Sequence, residues 1–123
     1  MSPHRQPALF VGHGSPMVAV EDDAYTDALA RFGRREPRPK AVVVVSAHWE
    51  APAPVRVGAA ERPELIYDFG GFPDELYQIR YDCPGDPALA RDIVRRLNAE
   101  AIYSGIDSRR GLDHGAWIPL RRL

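Results

Sequence analysis

Cysteine, net charge and long apolar runs are all scarce in this 123-residue chain, and each shortage argues against a class of protein. The single cysteine, Cys83, cannot form an intrachain disulfide, which favours a reducing compartment and predicts a cytoplasmic protein. The formal net charge of -1 gives no electrostatic reason to expect nucleic acid or an anionic membrane as a partner. No apolar run approaches the roughly twenty residues that cross a bilayer, and residues 1–7 lack the apolar core of a signal peptide.

Two motifs of phosphate and ester chemistry are also missing. The sequence contains no phosphate-binding glycine loop, and the residues around Ser15 do not form the Gly-x-Ser-x-Gly turn of a hydrolase. Proline and glycine, by contrast, are abundant, with twelve and ten residues, and their clustering predicts the ends of structural elements rather than disorder. The apolar content of 45% and charged content of 27% are those of a globular domain, and they leave the oligomeric state open.

Local patterns predict an α/β fold in which helices flank a mostly parallel or mixed central sheet. Strands buried on both faces are predicted at residues 8–11 and 41–46, joined by a helix over residues 23–34 in a right-handed crossover. A second helix is predicted to begin with Asp86 as its cap and Pro87 as its first residue. Weaker patterns predict further strands at residues 55–58, 64–67 and 101–106.

A histidine follows each of the two strongest predicted strands. His13 lies between two glycines that let the backbone approach a bound group, and His48 follows the apolar run VVVVSA. Because the carboxyl ends of neighbouring parallel strands meet at one edge of a sheet, we expect these imidazoles to converge on one metal ion. Glu50 is a candidate third ligand or an acceptor that orients an imidazole. The alternative is that each histidine is satisfied within its own loop, His48 beside Trp49.

A third histidine and an aromatic loop are further candidates for a site. His114 lies in the segment GLDHGAW, either as an exposed residue at a helix start capped by Asp113 or as a pocket residue for proton transfer. Four aromatic residues surround the Gly70-Gly71 pair, and they form either a small core beneath a loop or a wall for a planar ring: Tyr67, Phe69, Phe72 and Tyr77.

Four motifs occur in order along the chain: residues 10–17 (FVGHGSPM), 46–50 (SAHWE), 66–73 (IYDFGGFP) and 111–117 (GLDHGAW). Together they closely resemble the class III extradiol ring-cleavage dioxygenases, specifically the 4,5-DOPA dioxygenase-like branch. The resemblance implies a non-haem metal enzyme that uses O₂ to open a catechol ring, DOPA or a related aromatic diol, beside its two hydroxyls.

The resemblance also implies roles for individual residues. It places the metal ligands at His13 and His48 and a catalytic pocket histidine at His114. We expect the aromatic loop to contribute the substrate-binding residues, Phe69, Gly70, Gly71 and Phe72. One divalent metal is expected, with Fe(II) needed for activity; Zn(II) could occupy the same ligands but has no redox chemistry.

The chain departs from the family in length, since family members are considerably longer. We therefore expect residues 1–123 to form the N-terminal portion of a single catalytic domain, truncated at its C-terminus. No histidine follows His114, so the further ligand and the acid/base of the family have no counterpart, and we expect no meaningful ring cleavage by this chain alone. An apolar surface at Trp117, Ile118 and Leu120 is expected to lack covering partners.

Two other functions remain open from the sequence. A zinc-dependent hydrolase could use the two histidines with Glu50. The chain could also be a non-catalytic metal-binding or interaction fragment.

Overall fold

Four helices and two short strands form the regular structure of residues 3–123, the residues that this computed structural model describes. In chain order they are α1 (Ala24–Arg35), β1 (Val55–Gly58), α2 (Asp74–Gln78), α3 (Pro87–Ala99), β2 (Ser104–Asp107) and α4 (His114–Arg122). The strands pair in parallel, with Val55 opposite Ser104 and Gly58 opposite Asp107. Because α2 and α3 lie in the connection between the strands, the α/β prediction is confirmed.

The two predicted helices are confirmed, and their N-terminal signals explain why they form. At α1 the Asp23 carboxylate accepts a hydrogen bond from the Thr26 backbone N–H at 2.9 Å, and the Thr26 hydroxyl accepts one from the Asp23 N–H at 2.9 Å. At α3 the Asp86 carboxylate accepts from the Leu89 N–H at 3.0 Å, and Pro87 is the first helical residue. Such caps satisfy N–H groups that the first turn of a helix leaves unpaired.

The core lies around α4. Trp117 and Ile118 are both 0% exposed, and they pack with Leu76 of α2 and Ala19 of a single 3₁₀ turn, Pro16–Ala19. The Trp117 indole N–H donates to the Ile66 carbonyl at 3.1 Å, so its buried polar atom is satisfied. The prediction that this surface lacks covering partners is therefore wrong for Trp117 and Ile118, because α2 and the 3₁₀ turn cover it.

Two arginines at the end of α4 fix the segment that follows the first glycine-histidine motif. Arg121 donates to the Ala19 carbonyl at 2.8 Å. Arg122 donates to the Val18 and Glu21 carbonyls, both at 2.8 Å, and to the Asp22 carboxylate at 3.0 Å. These bonds satisfy carbonyls of an irregular segment, so α4 holds residues 18–22 in place.

The strands predicted at residues 8–11 and 41–46 do not form, and the prediction of a parallel crossover between them is also wrong. Phe10, Val43 and Val45 are 105%, 63% and 94% exposed. A strand buried on both faces needs hydrogen-bonding neighbours along its edges and side chains packed on both sides. The described part of the chain supplies neither for these two segments, so they are unpaired there.

The weaker strand predictions fare unevenly. The strand at residues 55–58 is confirmed as β1. The strand predicted at 101–106 is found as β2, which begins three residues later than predicted. Residues 64–67 form only an isolated bridge, between Leu65 and Leu112. None of the helices within residues 3–123 combines the length and apolarity needed to cross a membrane.

Candidate metal centre

The loop that carries His13 is held between α1 and the 3₁₀ turn. The Tyr25 hydroxyl of α1 donates to the Gly12 carbonyl, immediately before the histidine. After it, Gly14 adopts a φ of 62°, which favours glycine, and the Ser15 hydroxyl accepts from the Met17 N–H at 3.3 Å to begin the turn. Contacts on both sides of His13 therefore hold its loop in place.

His48 lies in a tight turn, residues 46–49, that Ser46 organises. The Ser46 hydroxyl accepts from the His48 backbone N–H at 3.2 Å, and the Ser46 carbonyl accepts from the Trp49 N–H at 3.2 Å. The same hydroxyl donates to the Asp113 carboxylate at 2.6 Å, across 67 residues of sequence. Arg110 binds the other Asp113 oxygen at 3.1 Å and stacks on the Trp49 ring at 5.1 Å.

His114 is the first residue of α4 and is only 6% exposed, so the reading of it as an exposed cap residue is wrong. Asp113, 3% exposed, caps the helix as predicted by accepting from the Ala116 N–H at 3.2 Å. Since Asp113 binds both Ser46 and the start of α4, one buried carboxylate joins the turn of His48 to the helix of His114.

Gly115 allows these two segments to meet. A Cβ atom at this position would lie 2.6 Å from His48 Cδ2 and 2.8 Å from the Ser46 hydroxyl oxygen. Both distances are shorter than side-chain atoms tolerate, so any larger residue would push the turn of His48 away from α4.

The three histidines converge although no strand delivers them. His13 Nε2 and His48 Nε2 lie 2.7 Å apart, and the His114 ring centroid lies 4.2 Å from that of His48 and 5.0 Å from that of His13. One ring nitrogen from each residue falls within 4.8 Å of the others, and we call this group the histidine cluster. Within residues 3–123, Glu50 is not part of it.

Electrostatics favour the neutral imidazole at His13. Burial lowers the pKa of His13 below its usual value, and the neighbouring His114 and His48 rings lower it further because a second positive charge beside them is unfavourable. Neutral imidazole is the form that binds metal ions.

The Asp68 carboxylate contacts His114 of the cluster. Partial burial alone would raise the pKa of Asp68, but the hydrogen bond from the His114 backbone N–H and the nearby His114 ring hold it below its usual range. Asp68 is therefore an anion near neutral pH.

The geometry suits a divalent ion. Nitrogens that bind one ion at about 2.1 Å can lie no more than about 4.2 Å apart. The 2.7 Å between the Nε2 atoms of His13 and His48 is within this limit, and His114 offers a ring nitrogen within 4.8 Å of both residues. His13 Nδ1 is buried without a hydrogen-bond partner among the described residues, so hydrogen bonds from these residues do not fully fix the orientation of the ring.

The aromatic loop packs beside the cluster. The Phe69 ring lies 5.6 Å from His114 at an interplanar angle of 90°, and 5.6 Å from Phe72 at 88°. Gly71 has a φ of 77°, a conformation that glycine adopts without strain. The loop also contacts the core at Trp117, 6.4 Å from Phe69, so it joins the core to the histidine cluster.

Sequence reasoning missed three residues of the site, namely Ser46, Asp68 and Gly115. Asp68 and Ser46 act on residues 46 and 67 positions away, and nothing in their local sequence signals such contacts. Gly115 lies in the GLDHGAW motif, but its contact with His48 depends on the tertiary fold and has no local signal.

Comparison with known proteins agrees with the motifs. Residues 7–123 match the family described as the catalytic LigB subunit of aromatic ring-opening dioxygenase. Three similar proteins carry the name 4,5-DOPA dioxygenase extradiol. The Escherichia coli protein is 49% identical over 123 residues, the Beta vulgaris protein 43% over 116, and the Mirabilis jalapa protein 37% over 117.

These alignments cover 100%, 91% and 90% of this chain but only 45%, 43% and 42% of the respective relatives. The chain thus spans less than half the length of the curated relatives it matches, although the family match extends over nearly all of it. It belongs to the family of the catalytic LigB subunit of aromatic ring-opening dioxygenases.

Proposed function

We propose that this chain supplies the metal-binding part of an extradiol dioxygenase that opens a catechol ring with O₂. The observation that carries the proposal is the convergence of three histidines from separate segments within 4.8 Å, beside an aromatic loop. The names of the relatives support DOPA or a related aromatic diol as substrate. We further propose that residues 1–123 belong to a single catalytic domain.

His13 and His48 are the proposed metal ligands, and Fe(II) is the proposed metal. Their Nε2 atoms lie 2.7 Å apart, and the lowered pKa of His13 keeps its ring neutral. His13 and His48 would hold the ion, and Fe(II) would supply the Lewis acidity and redox chemistry for opening the ring with O₂. Zn(II) fits the same imidazoles but supplies no redox chemistry.

His114 is the proposed catalytic residue that exchanges a proton with a substrate hydroxyl. Its ring is buried, lies between the metal-binding pair and Phe69, and is contacted by the Asp68 carboxylate. Histidine suits this task because its usual pKa lies near neutral pH.

The aromatic loop is the proposed substrate-binding wall, formed by Phe69, Gly70, Gly71 and Phe72. The Phe69 ring stands perpendicular to His114, an arrangement in which a planar ring can pack against its face or edge. The two glycines carry no side chain, so they leave room for a substrate to approach the backbone.

The test is a chimera in which this chain replaces the matching 45% of the Escherichia coli relative. We expect the Fe(II)-loaded chimera to consume O₂ in proportion to added DOPA and to form a ring-opened, visibly coloured product. The Zn(II)-loaded chimera, a His13→Ala chimera and the chain alone should each remain at background. Circular dichroism establishes that each protein is folded, and metal analysis establishes how much metal each one holds.

Two outcomes would contradict the proposal. A folded chimera with bound iron that consumes no O₂ with any catechol would exclude the dioxygenase role. Hydrolysis of model esters by the zinc form would instead favour the hydrolase.

A further inference from the structure

Asp68 lies in the IYDFGGFP motif, to which the proposed function assigns only an aromatic wall. Its side chain is 29% exposed, so it is partly shielded from water. Oδ1 of Asp68 accepts a hydrogen bond from the His114 backbone N–H at 2.8 Å. The same oxygen lies 2.9 Å from Nδ1 of the His114 ring.

The ring contact is short but not aligned along the N–H direction. Nδ1 of His114 is buried and has no fully formed hydrogen bond with any of the described residues. Asp68 Oδ1 is nevertheless an acceptor at hydrogen-bond distance from Nδ1, so the pair lacks only alignment. Catalytic hydrogen bonds are commonly poorly aligned before ligands bind.

We propose that Asp68 is a positioning residue that holds His114 as the Nδ1–H tautomer and fixes the direction of its ring. An ionised carboxylate can only accept hydrogen bonds, so the ring nitrogen beside it must carry the proton. A neutral imidazole has one proton, which leaves Nε2 as the basic nitrogen. The perpendicular Phe69 ring restricts rotation of the imidazole from another side.

This inference rests on the proposed role of His114 as the residue that exchanges a proton with substrate. With the proton of Nδ1 bound to Asp68, Nε2 is free to accept one from a diol hydroxyl. Carboxylates that orient a histidine in this way typically contribute ten- to a hundredfold to metal affinity or activity.

Asp68 also has a purely structural role, and the experiment must distinguish it from the proposed positioning of His114. Its bond to the His114 N–H satisfies a donor at the start of α4, where the helix itself provides no acceptor. Asp86 performs the same task at α3, where it accepts from the Leu89 N–H and contacts no histidine. The Asp86→Ala variant is therefore the matched control for a lost capping bond.

The experiment is a two-bond ¹H–¹⁵N NMR spectrum of the metal-free chain labelled with ¹⁵N-histidine. The His114 signals are assigned by their absence in His114→Gln. We expect the Nδ1–H tautomer in the unmodified chain and in Asp86→Ala, and a shift toward the Nε2–H form in Asp68→Ala. Asp68→Asn, which keeps the shape of the side chain, should give an intermediate spectrum.

An Nε2–H tautomer in the unmodified chain, or an unchanged tautomer in folded Asp68→Ala, would overturn the inference. The spectrum does not depend on metal binding or ring cleavage, so it separates this inference from the proposed function. In the Fe(II)-loaded chimera, Asp68→Ala should lower kcat by about ten- to a hundredfold while the content of bound iron stays unchanged. An inactive chimera with the Nδ1–H tautomer would refute the function and leave the positioning role intact.

Discussion

At the scale of single residues, the site depends on a few close contacts that bring separate segments together. Gly115 is the clearest case, since the space for its missing side chain is taken by His48 and Ser46. Asp113 adds a second link, because its buried carboxylate binds Ser46, Arg110 and the start of α4. The position of His48 relative to His114 is thus set by residues that would not bind a metal themselves.

Gly115→Ala should weaken metal binding by displacing His48. We expect a loss of zinc affinity of at least about tenfold, the size typical of disturbed surroundings of a metal ligand. Gly12→Ala is the matched control, because a Cβ at Gly12 meets no atom within 4 Å although the residue adjoins His13. Calorimetric titration with Zn(II) measures both, and equal affinities in the two variants would show that the close contact at Gly115 is unimportant.

At the scale of elements, the turn that follows β2 depends on one carboxylate. Asp107 accepts hydrogen bonds from the backbone N–H groups of Arg109 and Arg110, both at 2.9 Å. These bonds hold the pKa of Asp107 below its usual range. The turn leads directly to Arg110, which binds Asp113 and stacks on Trp49.

This lowered pKa fixes the direction of a pH effect. The carboxylate is ionised in both the folded and unfolded states above its ordinary pKa, so its stabilising contribution is fully present there. It is lost as the pH falls through the lower pKa of the folded state. Asp107→Asn should therefore flatten the fall of Tm below about pH 4, measured by circular dichroism. A variant whose Tm falls with pH as steeply as that of the unmodified chain would contradict this.

The sequence predicted the helices more accurately than the strands. The reason is that helix starts depend on contacts between residues close in sequence, whereas strands depend on distant partners. The Asp23–Thr26 box and the Asp86–Pro87 start are complete within four residues, so the start of each helix was predicted to within one residue. The run at residues 41–46 has strand composition, but pairing requires a distant partner that local sequence does not specify. The histidines were recognised from local patterns, either flanking glycines or a preceding apolar run, whereas Asp68 and Ser46 depend on contacts across 46 and 67 residues.

At the scale of the whole molecule, the buried and exposed apolar residues are not where strand patterns suggest. Val45 is 94% exposed, whereas Ile118 is 0% exposed within the core around α4. The core that supports the histidine cluster is therefore formed by α4, α2 and the 3₁₀ turn.

Matched substitutions test this distribution. Val45→Thr should change the free energy of unfolding by no more than about 0.5 kcal/mol, as is usual for surface residues. Ile118→Ala should reduce it by about 2–5 kcal/mol, because it leaves a cavity in the core. Urea unfolding measures both, and a comparable loss for Val45→Thr would mean that residues 41–46 are buried in solution.

Whether His13 and His48 together bind one divalent ion is measured by anaerobic calorimetric titration of the metal-free chain with Fe(II). We expect one ion per chain, an affinity lowered at least about tenfold in His13→Ala and in His48→Ala, and stoichiometric binding retained in His114→Ala. His4→Ala serves as the control, since His4 is exposed and its Nε2 lies 4.0 Å from the Glu36 carboxylate. Binding that survives the loss of both His13 and His48, or no binding by the folded chain, would contradict the account.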